Sequence, residues 1–119
     1  MRVLRNNVFV DRVFFDDATG AADEATIENN WQSAANSVHD ASIAFNSSRQ
    51  VARGNKLDDG NADTVTVGVN GDYALIEGND LRFGNVVRTA SSGGNRVWNN
   101  ARHGTLTLHA TDSAGGNTP

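Results

Sequence analysis

Residues 23–53 read DEATIENNWQSAANSVHDASIAFNSSRQVAR, and this stretch decides the fold that we predict. Its apolar residues recur at helical spacing and fall on one stripe. They are Ile27, Trp31, Ala34, Ala35, Val38, Ala41, Phe45 and Ala52. Asp23 can cap the start of a helix, and Gly54 can end it. The stretch therefore predicts one long amphipathic helix.

The rest of the chain is typical of strands and turns. Residues 8–15 are rich in β-branched and aromatic types, and residues 96–98 indicate another short strand. Asn70-Gly71 favours a tight hairpin that would pair Val65 with Ile76. We therefore predict an α+β fold with an N-terminal strand, one long amphipathic helix, and then four to five antiparallel strands packed on the helix.

The chain is long enough for one domain with its own core. We assign residues 1–110 to a single α+β domain and residues 111–119 to a flexible C-terminal tail. We identify no internal repeat of the length typical of solenoid proteins. In its order of elements the chain is similar to cystatin-like folds, hot-dog folds and the globular heads of pilin-like proteins, and it carries no motif that selects one of them.

The composition excludes several chemistries. The chain has no cysteine, so disulfides, thiolate metal sites and cysteine nucleophiles are absent. No apolar run approaches membrane-spanning length. The first 15 residues carry charges throughout, which is not the pattern of a signal peptide. Localisation stays open, with a virion or an extracellular assembly among the alternatives.

Charge is distributed unevenly along the chain. The net charge is −4, yet residues 1–15 and 81–119 carry more Arg than acid, whereas residues 16–80 are strongly acidic. Basic ends and an acidic middle are complementary patches that can steer copies into a homo-oligomer. The same charges could equally solvate loops and strand edges. The acidic middle argues against a general nucleic-acid binder.

No catalytic, cofactor-binding or metal-ligating constellation is evident. The chain lacks phosphate-binding loops, nucleophile elbows and zinc-binding helices. His39, His103 and His109 have no metal-ligand spacing. Asp58, Asp59 and Asp63 cluster in a segment that is either a solvated turn or an oxygen-rich calcium loop.

We therefore expect a non-enzymatic, self-assembling structural subunit, such as a virion protein or an extracellular filament or pilus-like protein. Apolar residues on both faces of several strands suggest more apolar surface than one helix can bury. The candidate interface residues are Ile43, Tyr73, Leu75, Trp98, Arg2, Arg5, Arg82 and Arg88. The alternative is a small α+β enzyme or ligand-binding module with a pocket between helix and sheet, lined by His39, Asp40, Tyr73 and His103.

Overall fold

A computed structural model describes residues 2–10, 15–16, 24–33, 43–57, 63–67, 71–82, 85–88 and 93–119. Within these ranges the chain forms thirteen short strands and no helix. The strands are β1 (Val3–Arg5), β2 (Val8–Val10), β3 (Phe15–Asp16), β4 (Thr26–Glu28), β5 (Trp31–Ser33), β6 (Ile43–Phe45), β7 (Val51–Arg53), β8 (Asp63–Val67), β9 (Leu75–Glu77), β10 (Asn85–Arg88), β11 (Arg96–Trp98), β12 (Leu106–Thr107) and β13 (Ser113–Gly115).

The strands form parallel sheets. A six-stranded sheet has the order β1-β4-β7-β9-β11-β13, a five-stranded sheet has the order β12-β10-β8-β6-β3, and β2 pairs with β5. Every strand pair is parallel. Each strand therefore pairs with strands that lie roughly twenty residues away in sequence, which is the arrangement of a parallel β-helix.

We number the coils of this solenoid 1 to 6 by their strands in the six-stranded sheet, from β1 in coil 1 to β13 in coil 6. The six-stranded sheet forms the first side of the solenoid, and the five-stranded sheet forms the second. The two-stranded sheet forms the third side, and single parallel bridges extend it through the later coils. These bridges join Trp31 to Lys56, Lys56 to Asp80, Asp80 to Ala101, and Ala101 to Thr118. Coils 1 to 5 thus stack on all three sides, with one register shift between Asn85 and Val86, and coil 6 stacks on coil 5 through β13 and the bridge of Thr118.

The core is a column of aliphatic residues inside the coils. The middle residues of β1, β4, β7, β9 and β11 point inward and stack, namely Leu4, Ile27, Ala52, Ile76 and Val97. The five-stranded sheet adds Ile43, Phe45, Val65, Val67 and Val86, and the third side adds Leu57 and Leu81. Burying these side chains is the main stabilising contribution, at roughly 1.5–3 kcal/mol for each large one.

A repeated turn closes the first side of every coil. The residue after each first-side strand has a positive φ: Asn6 (59°), Asn29 (54°), Gly54 (63°), Gly78 (62°), Asn99 (55°) and Gly116 (65°). Asn and Gly tolerate this left-handed conformation best, which explains why only these two types occupy the position. The residue directly after this position is an asparagine in all six coils.

The predicted α+β architecture is wrong. Within residues 23–53, the described parts form β4, β5, β6 and β7 in two successive coils, and residues 34–42 lie outside the described ranges. The spacing misleads because each coil sends a few apolar side chains inward from three different sides. Trp31, which the helical stripe would bury, is 55% exposed.

The antiparallel prediction is also wrong. Val65 pairs in parallel with Ile43 and Val86, whereas Ile76 pairs with Ala52 and Val97, so no hairpin joins Val65 to Ile76. Asn70 lies outside the described residues. The solenoid repeat that sequence reasoning did not identify is present. In the predicted tail, Ser113–Gly115 forms β13 and pairs with β11.

Candidate functional site

A ladder of asparagines runs the length of the solenoid, just after the repeated turn. Its members are Asn7, Asn30, Asn55, Asn79, Asn100 and Asn117, and we call them the asparagine ladder. In each step, the backbone N–H and the side-chain Nδ2 of one asparagine both donate to Oδ1 of the asparagine in the next coil, at 2.9–3.1 Å.

The same amides also bind the backbone of the preceding coil. Nδ2 of Asn55 donates to the Ile27 carbonyl at 2.9 Å, and Nδ2 of Asn79 donates to the Ala52 carbonyl at 3.0 Å. The four central ladder side chains are buried, at no more than 2% exposure. A buried amide is tolerated because its hydrogen-bonding groups are satisfied, and the ladder therefore fixes the register between coils.

The two ends of the asparagine ladder are complementary. Among the described residues, nothing donates to Oδ1 of Asn7, and the backbone N–H of Asn117 donates to nothing. In the six-stranded sheet, β1 of coil 1 and β13 of coil 6 each have one edge that no other described strand covers. The solenoid thus presents an acceptor at one end of the ladder and a donor at the other.

The predicted interface residues do not form one patch. Ile43 is fully buried in the core, contrary to the exposed position expected for it. Tyr73 and Trp98 are 65% and 38% exposed, and Leu75 is half-buried. These three residues lie on or beside the six-stranded sheet, in coils 4 and 5.

The predicted interface arginines are spread over the solenoid. Arg2 and Arg5 are exposed in coil 1, Arg82 is exposed on the third side, and Arg88 ends β10 in the five-stranded sheet. Arg5 belongs to a charged column on the six-stranded sheet. Glu28 lies between Arg5, at 3.7 Å, and Arg53, at 3.0 Å, so one carboxylate joins three coils.

A small groove opens on the third side. Its volume is about 220 Å³, and its lining is Trp31, Lys56, Leu57, Asp80, Arg82 and Arg102. Arg102 donates from Nε to Oδ1 of Asp80 at 2.8 Å and from its terminal nitrogen to Oδ2. This hydrogen-bonded guanidinium is the main reason why the pKa of Asp80 lies below 3.8.

The remaining polar candidates do not converge. His103 is buried, and its Nδ1 has no partner among the described residues, whereas His109 contacts Thr111 at 2.9 Å near the end of the solenoid. His39, Asp40, Asp58 and Asp59 lie outside the described residues, and Asp63 begins β8. No three histidine or acidic residues of the described ranges are grouped as metal ligands.

Sequence reasoning missed the asparagine ladder, although a signal for it exists. Asn-Asn or Gly-Asn occurs at all six turns of the ladder, 6–7, 29–30, 54–55, 78–79, 99–100 and 116–117, and Gly-Asn also occurs at 60–61, 84–85 and 94–95. Successive ladder asparagines are 23, 25, 24, 21 and 17 residues apart. This unequal spacing hides the repeat from any search for a fixed period.

Comparisons with protein-family models, curated proteins and solved structures find no match to this chain. In the part of the chain that the structure describes, no helix has the length and apolar character needed to cross a membrane.

Proposed function

We propose that this protein is a non-enzymatic structural subunit that assembles end to end, with coil 1 of one copy lying on coil 6 of the next. The complementary ends of the asparagine ladder are the observation that carries this proposal. Asn117 of one copy would donate from its backbone to Oδ1 of Asn7 in the next copy, as Asn30 donates to Asn55 within the chain at 3.0 Å.

The pairing within the chain predicts one register between copies. Val3 would lie over Ser113, and Arg5 would lie over Gly115, because these residues hold equivalent positions in their coils. The N–H of the first residue of each later first-side strand donates to the preceding coil, as Ser113 does to the Asn95 carbonyl at 2.9 Å. The N–H of Val3 would donate to the neighbouring copy in the same way.

Charge supports this register. Arg2 of one copy would neighbour Asp112 of the next, since Arg2 and Asp112 both directly precede the first-side strand of their coils. Opposite charges at such a contact favour association and fix the register. A head-to-tail contact that does not close on itself produces a filament. Uncovered strand edges are well suited to this pairing.

We also propose a second, lateral interface between copies, formed by Tyr73, Leu75 and Trp98. The exposure of Tyr73 and Trp98 favours it, because large aromatic side chains are common anchors of protein interfaces. Ile43 is not part of it, since its side chain is buried.

Sedimentation velocity and electron microscopy at micromolar concentration test the proposal. We expect concentration-dependent association into unbranched rods. Val3→Pro removes the backbone donor at the free edge of β1, and Arg2→Glu reverses the charge facing Asp112, so each should abolish the rods. Val3→Ala and Arg2→Lys are the matched controls and should still associate.

A strictly monomeric protein across salt and concentration would contradict the proposal. If association survives Val3→Pro and Arg2→Glu but is lost in Tyr73→Ser or Trp98→Ser, assembly is lateral and end-to-end stacking is wrong.

A further inference from the structure

The groove on the third side is built by residues that the solenoid stacks in consecutive coils. Trp31, Lys56 and Asp80 are partners in successive parallel bridges, so their outward side chains follow one another at the spacing of strands in a sheet, about 4.8 Å. Arg82 and Arg102 stand beside this column. Because the backbone sets the spacing, these groups are held in place before any ligand arrives.

Trp31 leaves more than half of its surface in water, which makes it an available aromatic platform. An indole face attracts the apolar C–H face of a sugar ring or the plane of a base. Leu57, at the floor of the groove, is buried and gives the wall an apolar base. The groove can therefore hold a ring by its flat face.

The described residues that line the groove carry a charge opposite to that of the whole protein. Among them, Lys56, Arg82 and Arg102 stand against one carboxylate, that of Asp80, whereas the chain carries −4 overall. Within the described residues, the Lys56 side chain has no hydrogen bond and no ion pair within 4 Å. The charge of Lys56 also helps to lower the pKa of Asp80, but its ammonium donors remain available for an anionic substituent of the bound ring.

Asp80 supplies the acceptors. Two donors of Arg102 hold its carboxylate in one orientation, and this contact keeps its pKa low, so the group stays ionised at neutral pH. An ionised carboxylate accepts hydrogen bonds and cannot donate them. It suits the hydroxyl groups of a ligand, and it repels a doubly charged phosphate more strongly than a singly charged carboxylate.

We propose that the groove binds one unit of an acidic carbohydrate, a hydroxylated ring that bears a carboxylate. The ring face would lie on Trp31, the carboxylate would bind Lys56 and Arg82, and ring hydroxyls would donate to Asp80. The volume of about 220 Å³ lies below the range of pockets for larger small molecules, so a single ring is the unit that fits. This site goes beyond self-assembly and does not depend on it.

Titration with D-glucuronate and D-galacturonate tests the proposal, followed by the fluorescence of Trp31 in a Trp98→Phe background. Binding should saturate and quench this emission. D-glucose and D-galactose, which lack the carboxylate, should bind at least about tenfold more weakly. Trp31→Ala and Lys56→Gln, measured by calorimetry, should each weaken uronate binding by about tenfold.

Arg96→Gln is the control, because it removes an exposed positive charge from the six-stranded sheet and should leave the affinity within about twofold. Failure of both uronates to bind at about 10 mM would overturn the proposal, as would equal binding of the neutral sugars. Tighter binding of adenosine monophosphate would also overturn it, because a phosphate ligand would then be favoured. Sedimentation of the same samples reports assembly separately, so either idea can fail alone.

Discussion

Oδ1 of Asn79 accepts two hydrogen bonds from Asn55, one from the backbone N–H and one from Nδ2, each at 3.0 Å. The two residues are 24 positions apart in sequence and lie in neighbouring coils. The same pair of bonds recurs along the whole ladder. These bonds join the asparagine after the turn of each coil to the asparagine of the next coil. The asparagine ladder therefore holds the six coils in one register.

Asn99 and Asn100 offer a matched test of the ladder. Asn100 is buried and its amide joins Asn79, Ile76 and Asn117, so Asn100→Gly leaves several buried polar groups without partners. We expect a loss of about 3 kcal/mol or more in the free energy of unfolding. Asn99→Gly should change it by less than about 0.5 kcal/mol, because Asn99 is exposed with a φ of 55°. Urea denaturation measures both, and equal losses would contradict the role of the ladder.

Glu28 should contribute more to stability than the equivalent Glu77. Glu28 contacts two arginines and its side chain is 16% exposed, whereas Glu77 has no ion pair with any described residue. Glu28→Gln should cost about 0.5–1 kcal/mol at low salt and less at high salt. Glu77→Gln is the control. If the two variants lose the same stability at both salt concentrations, the column of alternating charge contributes nothing specific.

Gly115 gives Trp98 its position. A Cβ added at Gly115 would lie 2.1 Å from Cζ3 of Trp98, so Gly115→Ala must displace the indole ring. We expect a loss of about 1–3 kcal/mol and a shift in Trp98 emission, measured in a Trp31→Phe background. Ser113→Ala, at the exposed start of the same strand, should leave the emission unchanged. An unchanged spectrum in Gly115→Ala would show that Trp98 does not pack over this glycine.

Asp80 should affect stability in acid. Its pKa is lowered in the folded state, chiefly by the hydrogen bond from Arg102, so the unfolded chain binds its proton more readily. The stabilisation is therefore present above pH 3.8 and is lost as the pH falls through the lower folded-state value. The side chains of Asp80 and Arg102 are both partly exposed. Solvent screening therefore limits the contribution of this pair to about 1 kcal/mol or less of the free energy of unfolding.

In Asp80→Asn, stability should therefore fall less steeply between about pH 5 and pH 2 than in the original chain. Arg102→Gln should likewise make stability fall less steeply over this pH range, because it removes the partner of Asp80. Urea denaturation across this range measures the effect, and unchanged acid limbs in both variants would exclude the pair as its source.

The sequence indicates several strands and part of the core. Arg96–Trp98 is a strand as predicted, and Ile27, Phe45 and Ala52 are buried as their apolar pattern indicates. The residues with which they pair in neighbouring strands are not predictable from local spacing. In a parallel solenoid every partner lies one coil away, and each coil here has a different length.

The candidate functional residues are likewise only partly predictable from the sequence. The exposure of Trp98 and Tyr73 fits the expected surface positions, whereas Ile43 is buried because coil 2 turns its side chain inward. Sequence reasoning assigns Trp31 to a helical core, and only the coil geometry places it beside Lys56 and Asp80. The recurrence of Gly-Asn and Asn-Asn is a local signal for the coils, but Gly-Asn also occurs at 60–61, 84–85 and 94–95, so the pairs alone do not locate the turns.

Disulfide trapping tests end-to-end stacking most directly, because the chain contains no cysteine of its own. In the proposed register, Val3 of one copy and Ser113 of the next are about 5 Å apart, within reach of a disulfide. The Val3→Cys, Ser113→Cys double variant should therefore form covalent multimers under mild oxidation. The Arg5→Cys, Ser113→Cys pair is two residues out of register and should remain largely monomeric. Monomers from both pairs, or equal crosslinking in both, would contradict the proposed assembly.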